Sequence, residues 1–287
     1  MATMTRYPPD QDSLNLTQLR GALTGTRFAA HLQHFASVGS TNTLLLEAAV
    51  NGAAEGSVYV ADEQTAGRGR SDHAWHSAAG EGLYLSALAK PSLRLRDALL
   101  LSLATGLAAW QAVNEVAGLD VDLRWPNDLL LDGKKLGGIL VETAVEPGDD
   151  PQLRYAVIGI GINVHQRAFP PELAALATSL DLENDSLTTY RTPLAIALLR
   201  ALDMELTSME LTSMELTHLE SGPAHAGSLL GRFAEHSSWV SGKRVHVPEQ
   251  QGYTGTTAGL DSRGFLLVDA DDGTRRTVLS GGVRELL

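Results

Sequence analysis

The run ALLLSLATGLAAWQAV, from Ala98 to Val113, constrains the fold more than any other stretch of this chain. As a helix it is apolar on every face, so it has to be buried. It falls short of the ~20 apolar residues of a membrane span, and Ser102, Thr105 and Gln111 interrupt it. Other elements must therefore wrap around it. Asp97, just before the run, is the expected cap.

The flanking segments supply those elements. Leu14–Leu23 has helical apolar spacing, with Asn15 or Thr17 near its start. His31–Val38 reads as a strand, and Ser40-Thr41-Asn42 offers N-cap chemistry for a helix ending near Gly52. Ser57–Glu63, Leu83–Ala89 and Val121–Trp125 read as further strands. The segment Asp128–Val145 reads as a hairpin, because Asp132-Gly133 is a strong two-residue turn signal. Tyr155–Val164 reads as a buried strand, and its alternate glycines, Gly159 and Gly161, suit close approach by another group.

From Thr188 to about Leu219 the pattern is helical and contains a five-residue repeat, MELTSMELTSMELTH, from Met204. Five residues advance a helix by ~500°, so the repeat spreads its apolar side chains around the axis. It reads as a duplication lengthening a helix, against a binding module of pentads as the other reading. Ser221–Gly227 breaks the chain. After Trp239 short strands alternate with turns at Glu249–Gly252, Asp261–Gly264 and Asp271–Gly273, as in a compact all-β barrel. The expected organisation is a loose N-terminus over 1–13, a larger unit over 14–236 and a small barrel over 237–287.

Charge limits the partners. The 287 residues carry 22 Lys and Arg against 34 Asp and Glu, a formal net charge of −12. Such a chain is a poor general binder of nucleic acid or anionic membrane, so any anion site must be local. There are no cysteines, which removes thiolate metal sites and cysteine nucleophiles and fits a reducing cytoplasm. The N-terminus has no apolar core of signal-peptide length.

One local anion site is TAGRGRSDHAW, Thr65 to Trp75. Gly67 and Gly69 free the backbone to bend around a ligand. Arg68 and Arg70 are permanent cations suited to carboxylate or phosphate oxygens. The alternative is a solvated loop with two surface arginines. The loop is not a GxGxxG turn, because Asp72 takes the third glycine position. Its tip is expected at a sheet edge. Lys135 is the second cation; Gly137 and Gly138 beside it leave room for a planar ligand, and exposed turn lysines are the other reading. Asn127 and Asp128, after Pro126, suit a hydroxyl or a metal-bound water, or simply a turn. Asn163 ends a tight strand, where a cap suffices. The pairs His31/His34 and His73/His76 lack the glutamate of a zinc protease, and His73 and His76 are assigned to the loop.

In this order GSTN, DEQTAGRGR, a tryptophan followed by GLYLS, RWPNDLLLDGKKLGGILVE and GIGINV closely resemble the biotin–protein ligases, over roughly Leu14 to Leu287. The resemblance implies an α+β fold: a mixed-sheet catalytic domain akin to class II aminoacyl-tRNA synthetases, then an SH3-like barrel. It implies MgATP and biotin as substrates, biotinyl-AMP as intermediate and a carboxylase carrier lysine as acceptor. Arg68, Arg70 and Lys135 match the cations that would offset the repulsion of two anions. Ser40, Thr41, Asn42, Gln64, Arg68, Gly69, Arg70, Lys135 and Gly137 match biotin-binding positions. Trp75, Asn127, Asp128 and Asn163 match the ATP side, Asp128 being the candidate for contact with magnesium carried by ATP. A lipoate or octanoate ligase of the same superfamily, or a biotin-binding module without catalysis, are the alternatives. A nucleic-acid binder using GRGR is disfavoured by the net charge.

Two departures stand out. Where the common bacterial pattern continues R-G-R, this chain has Ser71-Asp72-His73; the lost charge predicts faster release of the adenylate. Only about forty residues precede Ser40, which leaves no room for the winged helix-turn-helix of repressor members. The expectation is a cytoplasmic, single-function enzyme without DNA or membrane binding, a monomer or homodimer.

Overall fold

A computed structural model of the protein describes residues 12–184, 191–216, 228–249, 251–280 and 282–286. Seven strands form one mixed sheet: β1 (Leu32–Phe35), β2 (Val58–Ala61), β3 (Gly82–Ala89), β4 (Asp122–Arg124), β5 (Asp128–Leu131), β6 (Lys134–Val145) and β7 (Leu153–Asn163). Their order is β1-β2-β3-β7-β6-β5-β4. Helix α2 (Thr41–Val50) crosses from β1 to β2, which are parallel. All other neighbours are antiparallel. The β5–β6 hairpin turns on Asp132 (φ 46°) and Gly133 (φ 73°), the left-handed pair that a two-residue turn needs.

Strand alternation gives the sheet two different faces. On β7, Ala156, Ile158, Ile160 and Ile162 point into the main core. Helix α3 (Leu99–Ala117) covers this face and is buried continuously from Leu101 to Ala109, as its apolar sequence demands. It ends at Gly118 in the left-handed conformation, but its N-cap is Ala98. Asp97 belongs instead to a preceding 3-10 turn, Leu95–Asp97, and caps nothing. Behind α3 lie α5 (Arg191–Leu216) and α1 (Leu16–Ala22), the latter capped by Asn15. The opposite face of β7 carries Tyr155 and Val157, packed under Leu45 of α2, and then Gly159 and Gly161.

Part of the pentad repeat lies in α5, where Leu206 and Met209 are buried, Met204 is exposed and buried Glu205 pairs with Arg232 at 2.7 Å. That spread follows from the five-residue period. The side chains of the later copies, the break at 221–227 and residues 1–11 lie outside the described residues. Asp12, expected in a loose N-terminus, is docked: it accepts from the Arg191 backbone N–H at 2.7 Å and lies 3.0 Å from His165 Nε2. Asp181 approaches the other ring nitrogen at 3.3 Å. Burial alone would lower the imidazole, but these two carboxylates outweigh it and raise His165 to about 9.

After the short helices α4 (Leu180–Glu183) and α6 (Leu229–Glu235), strands β8 (Ser241–Val247), β9 (Tyr253–Leu260), β10 (Leu266–Ala270), β11 (Arg275–Val278) and β12 (Arg284–Glu285) form a separate antiparallel sheet, ordered β11-β10-β9-β8-β12. It is joined to the larger sheet. Trp125 Nε1 donates to Gly264 O at 2.8 Å, and Trp239 is flanked by Arg124 and Lys243. Among the described residues no helix is long and apolar enough to cross a membrane.

Candidate functional site

The glycine-bearing face of β7 forms the floor of a cleft at the N-terminus of α2. The cleft encloses about 460 Å³ including its open mouth. Its roof is the β2–β3 loop. Trp75 N–H donates to Gly67 O and Gly69 N–H to His73 O, making Gly67–Trp75 a small hairpin with a 3-10 tip at Arg70–Asp72. Gly67 is required there, because a Cβ would sit 2.5 Å from Trp75 O. The tip is not at a sheet edge: the loop starts beside β1 and β2 and crosses β3 and β7, so that Arg68 reaches β6 and Arg70 reaches Asn127 beside β5.

The α2 end of the cleft is neutral. Ser40 caps the helix, which presents Thr41 and Asn42 from its first turn. Ser86 Oγ, fully buried on β3, lies 2.8 Å from Thr41 Oγ1 and 2.7 Å from Asn42 Oδ1. Gln64 Oε1 accepts from Thr41 N–H at 2.9 Å, and Gln64 Nε2 donates to Ser77 at 3.0 Å. Asn42 fits because position 159 is glycine: a Cβ there would lie 2.4 Å from Asn42 Oδ1.

The other end is charged. Lys135 Nζ lies 2.6 Å from Asp128 and 5.5 Å from the Trp75 ring centroid, while Arg124 reaches Asp128 at 4.0 Å. Arg70 donates to Asn127 Oδ1 at 2.9 Å. Burial pushes its guanidinium below the usual arginine range, and Asp128 and Glu249 pull it back. The Trp75 indole lies against Gly138 and Gly161, where a Cβ on Gly161 would meet Nε1 at 2.5 Å. That buried N–H has no acceptor among the described residues.

Ten of the residues singled out from sequence line this one cleft: Ser40, Thr41, Asn42, Gln64, Arg68, Gly69, Arg70, Trp75, Asn127 and Lys135. Asp128 borders it through Lys135. Gly137 does not line it; Gly138 does. The reason is a bulge: Leu130 pairs with Lys135 but Leu129 with Gly137, so Leu136 is an extra residue and the alternation shifts. Asn163 is buried behind the site, donating to Thr178 O at 2.8 Å and Lys135 O at 3.4 Å. Sequence reasoning missed Ser86, whose signal is a lone serine in the apolar strand GLYLSALA. It also missed Glu142, which pairs with Arg68 at 2.9 Å. Among the described residues no three His, Asp or Glu side chains gather to hold a metal.

Comparison with known proteins gives this cleft a context. The biotin/lipoate A/B protein ligase family model matches residues 34–163, and the biotin protein ligase C-terminal domain model matches residues 240–283. The biotin–[acetyl-CoA-carboxylase] ligase of Mycobacterium tuberculosis is 35% identical over 286 residues, covering 96% of this chain and 95% of that one. The chain belongs to the biotin protein ligase family. The bifunctional ligase/repressor BirA of Bacillus subtilis is 41% identical over 169 residues, 58% of this chain; the match spans about half, 51%, of that longer protein. Among solved structures, the Aquifex aeolicus biotin protein ligase in complex with biotin and ATP superposes with a TM-score of 0.70 at 27% identity, covering 90% of this chain and 100% of that one.

Proposed function

We propose that this chain is an ATP-dependent biotin–protein ligase acting on the carrier domain of a carboxylase. The carrying observation is the joining in one cleft of a neutral hydrogen-bonding pocket with two cations, Arg70 and Lys135, beneath a glycine-bearing loop. In this reading residues 14–236 are the catalytic unit and 237–287 a compact SH3-like C-terminal domain. Thr41, Asn42, Gln64 and Ser86 recognise the ureido ring, which is neutral and needs donors and acceptors rather than charge. Gly138 leaves room beside Lys135.

The biotin carboxylate attacks the α-phosphorus of ATP; an O–P bond forms and the bond to pyrophosphate breaks. Arg70 and Lys135 offset the repulsion between the two anions, an effect a low-dielectric cleft strengthens. The carrier lysine amine then attacks the acyl carbon, loses a proton and displaces AMP. Trp75 and the loop exclude water from the mixed anhydride. Magnesium would come with the nucleotide, and Asp128, now paired with Lys135, is the carboxylate that would meet it. Asn163 acts behind Lys135 through the backbone.

The test is biotin-dependent ATP–pyrophosphate exchange, with lipoate as the competing acid. Wild type exchanges with biotin and not lipoate. Lys135→Ala and Arg70→Ala each lose about a hundredfold or more with unchanged thermal unfolding. Exchange with lipoate alone overturns the substrate, and full activity in both variants overturns the site.

A further inference from the structure

The structure assigns Glu142 as a positioning residue that latches the Gly67–Trp75 loop over the cleft through Arg68. The inference rests on the ligase reading for its consequence, and on geometry for the latch itself. Glu142 lies on β6, two and four residues beyond Leu140 and Gly138, and the bulge at Leu136 places all three on the cleft face. Its Oε1 accepts from Arg68 Nη2 at 2.9 Å. Its Oε2 accepts from Arg68 Nη1 at 3.1 Å and from Asn42 Nδ2 at 2.9 Å. One carboxylate therefore ties the loop after β2 to the first turn of α2.

The two loop arginines are thus unequal. The Arg68 guanidinium is held bidentately by a carboxylate, with Thr43 Oγ1 a further 3.4 Å neighbour of Nη1. Its charge is compensated inside the protein. Arg70 donates to a neutral amide oxygen and keeps its charge for an incoming anion. Arg68 also bridges Ala74 across the loop's own hairpin. Pinning its side chain to β6 consequently holds both legs of the loop, and Trp75, next in sequence, is held over Gly161. Arg68 therefore acts through the loop, and the Glu142–Arg68 pair governs how often the roof opens and how fast an acyl-adenylate escapes.

The full chain is compared with Glu142→Gln, which keeps the volume and removes the charge, with Arg68→Ala, and with the double variant. Two quantities are read: the release rate of biotinyl-AMP, and hydrogen exchange of the amides over residues 65–77 without ligand. A half-exposed pair has about 1 kcal/mol to give, so each single variant should release adenylate about fivefold faster. It should also exchange loop amides faster. The double variant should match the larger single effect rather than their product. Glu142→Asp should recover part of the retention. Unchanged loop exchange in Glu142→Gln, or effects that multiply in the double variant, overturns the latch. If wild type forms no adenylate, the ligase reading fails, and amide exchange still decides the latch.

Discussion

At the α2 end of the cleft the Thr41, Asn42, Gln64 and Ser86 side chains are bonded to one another. At the β5–β6 end Arg70 hydrogen-bonds a neutral amide and feels Asp128 and Glu249 through space, Lys135 shares Asp128 with Arg124, and the Trp75 N–H is unpaired among the described residues. The first end is buried and the second half-buried, and only the first is internally satisfied. A neutral ligand group can exchange with neutral partners at little net cost. A charged ligand needs a surplus of counter-charge waiting for it, and here Arg70, Arg124 and Lys135 outnumber Asp128 and Glu249 at some cost in folding free energy. The second end stores electrostatic capacity; the first stores shape.

The division is sharpest at two glycines on one face of β7. Gly159 lies under Asn42 and Gly161 under Trp75, so the same added methyl probes opposite ends. Gly161→Ala pushes out a rigid indole and should weaken nucleotide-side function by up to a hundredfold, about 3 kcal/mol. Gly159→Ala displaces a smaller amide and should raise the KM for biotin roughly tenfold while sparing that for ATP. Steady-state exchange kinetics with each substrate varied separates the two. If both variants raise the same constant, the ends are not independent.

Next in size is an effect that should touch neither end. His165 sits behind β7 between Asp12 and Asp181, with Arg167 on Asp181 and Arg191 on Asp12. Its folded pKa, about 9, lies above the ordinary 6.5, so the protonated ring favours the folded state. That contribution is complete below about pH 6.5 and fades as pH rises toward 9, with about 2 kcal/mol gone by pH 8. Thermal unfolding of wild type should therefore fall across this window, and that of His165→Gln should be flatter. Parallel curves would remove the charged triad. A matching change in adenylate release would tie the triad to the cleft.

These contrasts also show what could be read from sequence. Ser40 as a cap, Asp132-Gly133 as a turn and the spaced glycines of β7 depend on neighbours within a few residues, and each was legible. The choice between Gly137 and Gly138 was not, because it depends on a bulge that exists only once β5 pairs with β6. Glu142 was hidden for the same reason: its partners Arg68 and Asn42 come from distant segments. The glycine loop suggested freedom, yet its backbone bonds and the Arg68 anchor make it an ordered roof. Asp97 had cap chemistry, but the 3-10 turn before α3 took it one residue too early.

The smallest effect concerns the roof's tip, Ser71-Asp72-His73, where the sequence resemblance predicts R-G-R. Ser71 occupies the left-handed region at φ 52°, ψ 43°, and His73 Nδ1 lies 2.8 Å from Arg70 O. Restoring the run as Ser71→Arg, Asp72→Gly, His73→Arg adds positive charge above the charged end, which should slow release of biotinyl-AMP. The same change keeps a side chain in the left-handed backbone well that Ser71 already occupies and removes the imidazole beside Arg70. The net slowing should therefore be no more than about threefold at low salt and vanish as salt screens the tip. Ser71→Gly alone relieves the backbone without altering charge, so it isolates the conformational share. If it slows release as much as the triple variant does, retention at this end depends on the rigidity of the roof rather than on its charge. The contrast between the two ends would then lie in packing.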